Sequence, residues 1–137
     1  LRVIVLNSSA RTAQQAADSL NTEVGSIVKS LLFKTENGFL LCLVSGDKRC
    51  SLNKLKKIKN QKDISMANPD EVKEITGFTI GGVSPVGHLK PLEIYIDEEL
   101  SRFKNIYAAA GHPNCIFKID FDNLTKITKG SVKNITE

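Results

Sequence analysis

The chain has 137 residues, 41% of them hydrophobic and 25% charged, with a formal net charge of +4. That length suits one domain with a sound core, the composition is that of a soluble globular chain, and so mild a charge permits a polyanionic partner without demanding one. No apolar run approaches the ~20 residues that span a bilayer, and no signal-peptide pattern is present.

Three cysteines (Cys42, Cys50, Cys115) without CxxC spacing and two histidines away from metal-ligand spacing argue against a zinc site. They point to reduced thiols and a cytoplasmic protein. The chain begins at Leu1 rather than methionine, consistent with an N-terminal piece missing ahead of it.

In chain order, the β-branched run Arg2 to Leu6 predicts a strand. Ser8-Ser9 offers an N-cap for a helix over Thr12 to Leu20. Gly25 breaks that pattern, and Ile27 to Phe33 reads as a largely buried strand with Lys29 set into it. Asn37-Gly38 is a two-residue hairpin signal, so Phe39 to Val44 should return antiparallel. Ser45-Gly46-Asp47 is a turn. Ser51 caps a helix to about Lys59 with Leu52, Leu55 and Ile58 inward and lysines outward.

Asn68-Pro69 opens a short helix that Gly77 closes. Leu92 to Ile96 alternates as a strand, and Asp97 caps a helical turn to about Phe103. Asn105 to Ala109 and Cys115 to Ile119 are strands around the AAGHPN turn. Asp120 caps a last helix over Phe121 to Ile127, followed by a polar tail. Hairpins with helices inserted between them indicate an α+β fold on one curved, mixed and mainly antiparallel sheet, barrel-like in outline.

Three segments attract a functional reading. Gly77 to His88, GFTIGGVSPVGH, holds four glycines and a proline. Backbone this permissive suits a close approach to a ligand, with N–H groups aimed at an oxygen that becomes negative during attack; it equally suits a structural turn kinked at Ser84-Pro85. Lys29 either points to solvent along the strand alternation or is a fixed cation facing a cleft. His112, exposed in the glycine-proline turn, is a candidate proton carrier, whereas His88 reads as a surface residue. The lysines at 54, 56, 57, 59 and 62 form either a solvated face or a surface that meets a phosphate backbone.

No nucleophile–base pair, GxSxG elbow, P-loop or dinucleotide fingerprint is present. An enzyme built on this chain would position a reactive substrate beside water.

The segments RTAQQAADSL, GSIVKSLLF, LVSGDKR, DEVKEITGFTIGGVSPVGH, IYIDEEL and AAGHPNCIF, in this order, resemble the YbaK / prolyl-tRNA-synthetase-associated domain family over Arg11 to about Ile127. The resemblance implies a deacylase that removes a wrong amino acid from a mischarged tRNA, acting in trans or as an editing domain of the synthetase. It implies no metal or other cofactor, and a further helix upstream of Leu1.

By motif, the family's essential lysine falls on Lys29, its GxxxP loop on Gly81 through Pro85 (Gly81, Gly82, Val83, Ser84, Pro85), and its late Gly-His on Gly111 and His112. Lys29, Gly81 and His112 are thereby the expected catalytic residues. Ser30, Gly82, Val83, Ser84, Pro85 and Gly111 are the expected substrate-binding ones. Relatives similar to the cysteinyl-tRNA(Pro) deacylases lack the Gly-His-Pro found here. Those similar to the alanyl-tRNA(Pro) deacylases often carry asparagine where this chain has Ser30, which leaves the amino acid open. The implied partners are the 3′ end of a mischarged tRNA, with tRNA(Pro) foremost, and a synthetase; the alternative is a non-catalytic module of the same fold that binds either.

Overall fold

The computed structural model describes residues 3–6 and 12–137. Its spine is a hairpin of β2 (Val28–Lys34) and β3 (Phe39–Ser45), paired antiparallel from Val28↔Ser45 to Lys34↔Phe39. That register leaves residues 35–38 as a four-residue loop closed by the Thr35 N–H on the Gly38 carbonyl at 2.8 Å. Asn37 does not take the positive φ that a two-residue turn of the mirror-image type requires, so the expected tight turn is a longer one.

β3 is buried on both faces, which is why FLLCLV reads as a continuous apolar run rather than an alternating one. Leu41 and Leu43 join Val28, Leu32, Ile94, Ile96, Ile106 and Phe117 in the main core. Leu40, Cys42 and Val44 pack on the opposite face with Phe33, Leu55, Tyr95 and Ile135.

β5 (Glu93–Asp97) lies parallel to β3, and β8 (Ser131–Lys133) parallel to β5; β4 (Ser65–Met66) adds two residues beside the end of β2. A second, antiparallel sheet has β1 (Val3–Val5) and β6 (Ile106–His112) on either side of β7 (Cys115–Ile119). The fold is α+β as expected. In place of one barrel-like sheet, the described residues form two unclosed sheets that meet at a parallel bridge, Ile27↔Tyr107.

Among the described residues four α-helices close the structure, each opened by a polar cap that satisfies orphan N–H groups. Thr12 caps α1 (Ala13–Leu20), Ser51 caps α2 (Leu52–Lys59), Asn68 caps α3 (Pro69–Thr76) and Asp120 caps α4 (Phe121–Thr128). Arg2 and the expected Ser8-Ser9 cap lie outside the described residues. In α2 only Leu55 is fully buried, whereas Leu52 and Ile58 are more than a third exposed. An eight-residue helix presents one inward position per turn to a face this narrow.

The tail is not merely polar. After β8 it buries Ile135 completely and pairs Thr136 with Cys50. Among the described residues no helix is long and apolar enough to cross a membrane.

Candidate active site

From Val28 to Leu31 the outer edge of β2 has no strand partner among the described residues, because β6 meets it only at Ile27 and β4 only from Phe33. A cavity of about 340 Å³ opens in this gap, walled by α1, the β2 edge, the start of α3, the glycine-rich loop and β6. Its lining is mostly small and apolar (Ala13, Ala16, Val28, Ala67, Val83, Ala108). The polar exceptions are Thr12, Lys29, Ser30, Tyr107 and the bare backbone of Gly81. That volume lies at the low end for ligand sites and suits a small acyl group on a sugar.

Lys29 pairs across the hairpin with Val44, so alternation sets its side chain on the face of Val44, opposite Ser30. It is half-buried, and its ammonium donates to the Lys48 carbonyl at 2.5 Å. Burial pulls its pKa below the lysine norm, while Cys50, Asp47 and Asp97 partly hold it up. An ammonium has three protons, so two remain for a ligand.

The carbonyl that receives it belongs to a braced turn. Arg102 grips Asp47 at 2.8 Å and donates to the Ser45 hydroxyl at 2.8 Å, holding the Asp47 carboxyl below its usual range. Asp97, fully buried, accepts the Ser45 N–H at 3.0 Å. Nearby, Cys42 and Cys50 are free thiols whose mutual influence pushes Cys50 down and Cys42 up, with burial adding to the rise at Cys42.

Ser30 is the one buried side-chain polar atom without a partner among the described residues. Its hydroxyl lies on the strand face of Val28 and Leu32, which line the cavity with it. An unpaired buried hydroxyl carries a desolvation cost that a ligand can relieve.

The glycine-rich loop leaves α3 at Gly77, where φ is +84°. Gly81 has φ +86°, a conformation disfavoured for residues with a Cβ, and faces the cavity. Gly82 is fixed differently: its N–H closes a turn on Thr79 at 2.9 Å, and an added Cβ would sit 3.2 Å from Pro113 Cδ and 3.3 Å from the His112 backbone. The Gly81 and Val83 N–H groups have no acceptor among the described residues.

Behind them the Ser84 hydroxyl accepts the Val86 N–H at 3.3 Å, and buried Pro85 follows a trans peptide. His88 does not belong to open surface. Its Nε2 is 2.7 Å from the Ser84 carbonyl and its ring meets Phe78 edge-on, which pins the loop.

Ser30, Gly81 and Val83 therefore line one cavity with the strand segment of Lys29, whose ammonium lies on the other face at the Lys48 carbonyl, and Gly82, Ser84 and Pro85 belong to the same loop. Gly111 and His112 adjoin the cavity without lining it. Gly111, at φ +96°, leaves room for the Phe78 ring, and exposed His112 turns Nδ1 to the Asn114 N–H at 3.3 Å, while its neighbour Pro113 reaches the cavity. Thr12, Ala13, Ala16 and Tyr107 were not legible as site residues. The run Tyr107-Ala108-Ala109-Ala110-Gly111 was the available signal, since small side chains on a strand leave space unfilled.

Gly81→Ala is expected to destabilise the chain by about 1–2 kcal/mol, the cost of a Cβ in a left-handed conformation. Gly81→Ala should also lower ligand affinity more than Gly87→Ala, although Gly87 has φ +79° as well. Urea melts and titration with an amide-linked aminoacyl-adenosine check both.

Residues 7–127 match the family model of the aminoacyl-tRNA editing domain. The chain is 30% identical over 136 residues to the proline–tRNA ligase of Caldicellulosiruptor saccharolyticus, covering 97% of this chain and 23% of that protein. It is 28% identical over 126 residues to the candidate Cys-tRNA(Pro)/Cys-tRNA(Cys) deacylase EbsC of Enterococcus faecalis, covering 91% and 77% respectively. A crystal structure of a candidate trans-editing enzyme for prolyl tRNA synthetase superposes with a TM-score of 0.95 at 43% identity, covering all of this chain and 87% of that one. The chain spans only about a fifth of the length of the proline–tRNA ligases it matches. The chain belongs to the aminoacyl-tRNA editing domain family.

Proposed function

We propose that the cavity receives the acylated 3′ end of a mischarged tRNA, with tRNA(Pro) the foremost candidate, and that the chain hydrolyses the ester to free a small, wrongly attached amino acid. The observation that carries this reading is one small apolar cavity into which the Ser30 hydroxyl face and the bare backbone at Gly81 open, with the strand at Lys29 on its border. Water adds to the ester carbonyl, the ribose oxygen departs with a proton, and the products are a free amino acid and an uncharged 3′ end.

The Gly81 and Val83 N–H groups, without an acceptor among the described residues, suit the oxygen that gains charge in the addition. The two unused protons of Lys29 suit a terminal phosphate or the same carbonyl. The unpartnered Ser30 hydroxyl suits a polar group of the amino acid itself. An aminoacyl ester is already activated, so orientation and charge stabilisation lower the barrier enough without a protein nucleophile. The ribose hydroxyl beside the ester can orient the water, with His112 at the rim acting on substrate or water as it enters. A synthetase pocket separates small side chains by only about 1–3 kcal/mol per methylene, which is the need a second hydrolytic site meets.

A second reading, a non-catalytic module that binds a tRNA end or a synthetase, draws on one observation: no carboxylate or imidazole lines the cavity among the described residues. A deacylation time course over a panel of mischarged tRNAs separates the two. The hydrolase reading expects faster ester loss than buffer for at least one small amino acid. Loss at the buffer rate for every substrate leaves the binding module.

A further inference from the structure

The lysines do not act as one face. Lys54 is spent inside the fold, donating to the Thr136 carbonyl at 2.6 Å and to Asn134 at 3.0 Å, and Lys59 is paired with Glu93. Lys56 and Lys62 have no ion-pair partner among the described residues. They meet Lys34, from the end of β2, around a cleft of about 260 Å³ that also carries the hydroxyls of Thr35 and Ser65.

The cleft is preformed. The Glu36 carboxylate in the hairpin loop accepts the N–H groups of Lys62 and Asp63 at 2.7 and 3.1 Å, and the Gln61 amide oxygen accepts the Glu36 N–H at 3.0 Å. Two loops are thereby locked together as its wall. The opposing carboxylates are Asp63 on the lining, Glu36 in the wall with one oxygen taken by two backbone N–H groups, and Glu71, which pairs with Lys34 at 3.4 Å. That pair is solvent-exposed on the lysine side and contributes little, so a phosphate can take the ammonium over.

The cleft also lies next to the cavity. On β4, Ser65 lines the cleft and Met66 the cavity; on β2, Lys34 lines the cleft and Leu32 the cavity. Two strand residues span about 7 Å. A chain whose acylated end fills the cavity would cross β4 and lay its next phosphates among three ammonium groups.

We propose that the Lys34–Lys56–Lys62 cleft is a binding site for the RNA phosphodiester backbone next to the 3′ end, a subsite that rests on the deacylase reading above. Phosphate contacts of this kind position a strand without reading its sequence. They show as salt-dependent affinity, with a slope of about 0.7 per phosphate neutralised on a single strand.

The test titrates an uncharged minihelix ending in CCA, by fluorescence anisotropy, between 50 and 200 mM salt. The variant Lys34→Gln/Lys56→Gln/Lys62→Gln should bind roughly tenfold more weakly at the low-salt end and lose about 2 from the log–log salt slope. Lys34→Arg/Lys56→Arg/Lys62→Arg should keep both. Lys104→Gln/Lys126→Gln/Lys129→Gln removes the same net charge elsewhere and should leave the slope near wild type. Equal slopes for the two glutamine triples, or a cleft triple indistinguishable from wild type, would overturn the subsite. Failure of the deacylase reading shows separately, as wild-type protein that leaves mischarged tRNA intact, because the titration needs no cleavage.

Discussion

Lys29→Met is expected to lower kcat/KM for ester cleavage about 100-fold, a loss of roughly 2.7 kcal/mol of transition-state stabilisation. A hydrogen bond to a charged group contributes about 1.5–3 kcal/mol, and the half-buried setting of this ammonium places it at the upper end. Methionine keeps the aliphatic stem that packs beside Val44, so the variant should fold. Lys29→Arg, with its wider planar head, should recover only part of the activity.

The titration gives a second signature. Burial lowers the Lys29 pKa, so the cation is complete below that value and is lost as pH rises through it, sooner than for an ordinary lysine. Binding of an amide-linked aminoacyl-adenosine should weaken over that alkaline limb in wild type and stay flat and weak in Lys29→Met. Stability runs the other way. Between the folded and unfolded pKa values the unfolded chain binds more protons, so folding gains as pH rises, and the variant should lack that gain in urea melts. A Lys29→Met protein that cleaves at the wild-type rate would remove this residue from the chemistry.

The parts of the site visible in the sequence were those that break a local rule. A lysine amid Ile27, Val28, Leu31 and Leu32 is an anomaly, and adjacent glycines at 81 and 82 interrupt an otherwise ordinary sequence. The hairpin was visible because Asn37-Gly38 marks a turn between two apolar runs, and the caps at Ser51, Asn68 and Asp120 because each acts within three residues.

The cavity was not visible. It exists where β2 leaves β6 after Ile27↔Tyr107, a separation fixed by two sheets meeting rather than by any one segment. The partner of Lys29 was hidden for the same reason: a backbone carbonyl nineteen positions away carries no side-chain signal. The sorting of the lysines also waited on tertiary structure, since α2 alone does not tell Lys54, held by the tail, from Lys56 at the cleft. The tail read as polar because Ile135 is its one buried apolar residue after β8, and buried Thr136 carries no apolar signal.

Asp97→Ala should produce the largest loss of stability, about 3 kcal/mol in urea denaturation. The carboxylate is fully buried and divides its oxygens between two backbone donors, Ser45 N–H and Glu99 N–H, each at 3.0 Å. Alanine leaves both without that acceptor and removes the cap of the 3₁₀ turn Glu98–Arg102, at about 1–3 kcal/mol for an orphaned donor and about 1 for a cap. Asp97→Asn keeps one acceptor but turns an amide N–H toward a donor, so it should cost less than alanine and more than nothing.

Asp97→Asn also bears on Lys29. Asp97 is one of the anions that hold the Lys29 pKa up against burial, and it anchors the Ser45 end of the turn whose Lys48 carbonyl receives the ammonium. Neutralising Asp97 should move the alkaline limb of ligand binding to lower pH, whereas Arg102→Ala, which loosens the same turn but leaves that anion in place, should not move it downward. A limb unchanged in Asp97→Asn would separate the buried carboxylate from the cation and reduce Asp97 to a structural cap.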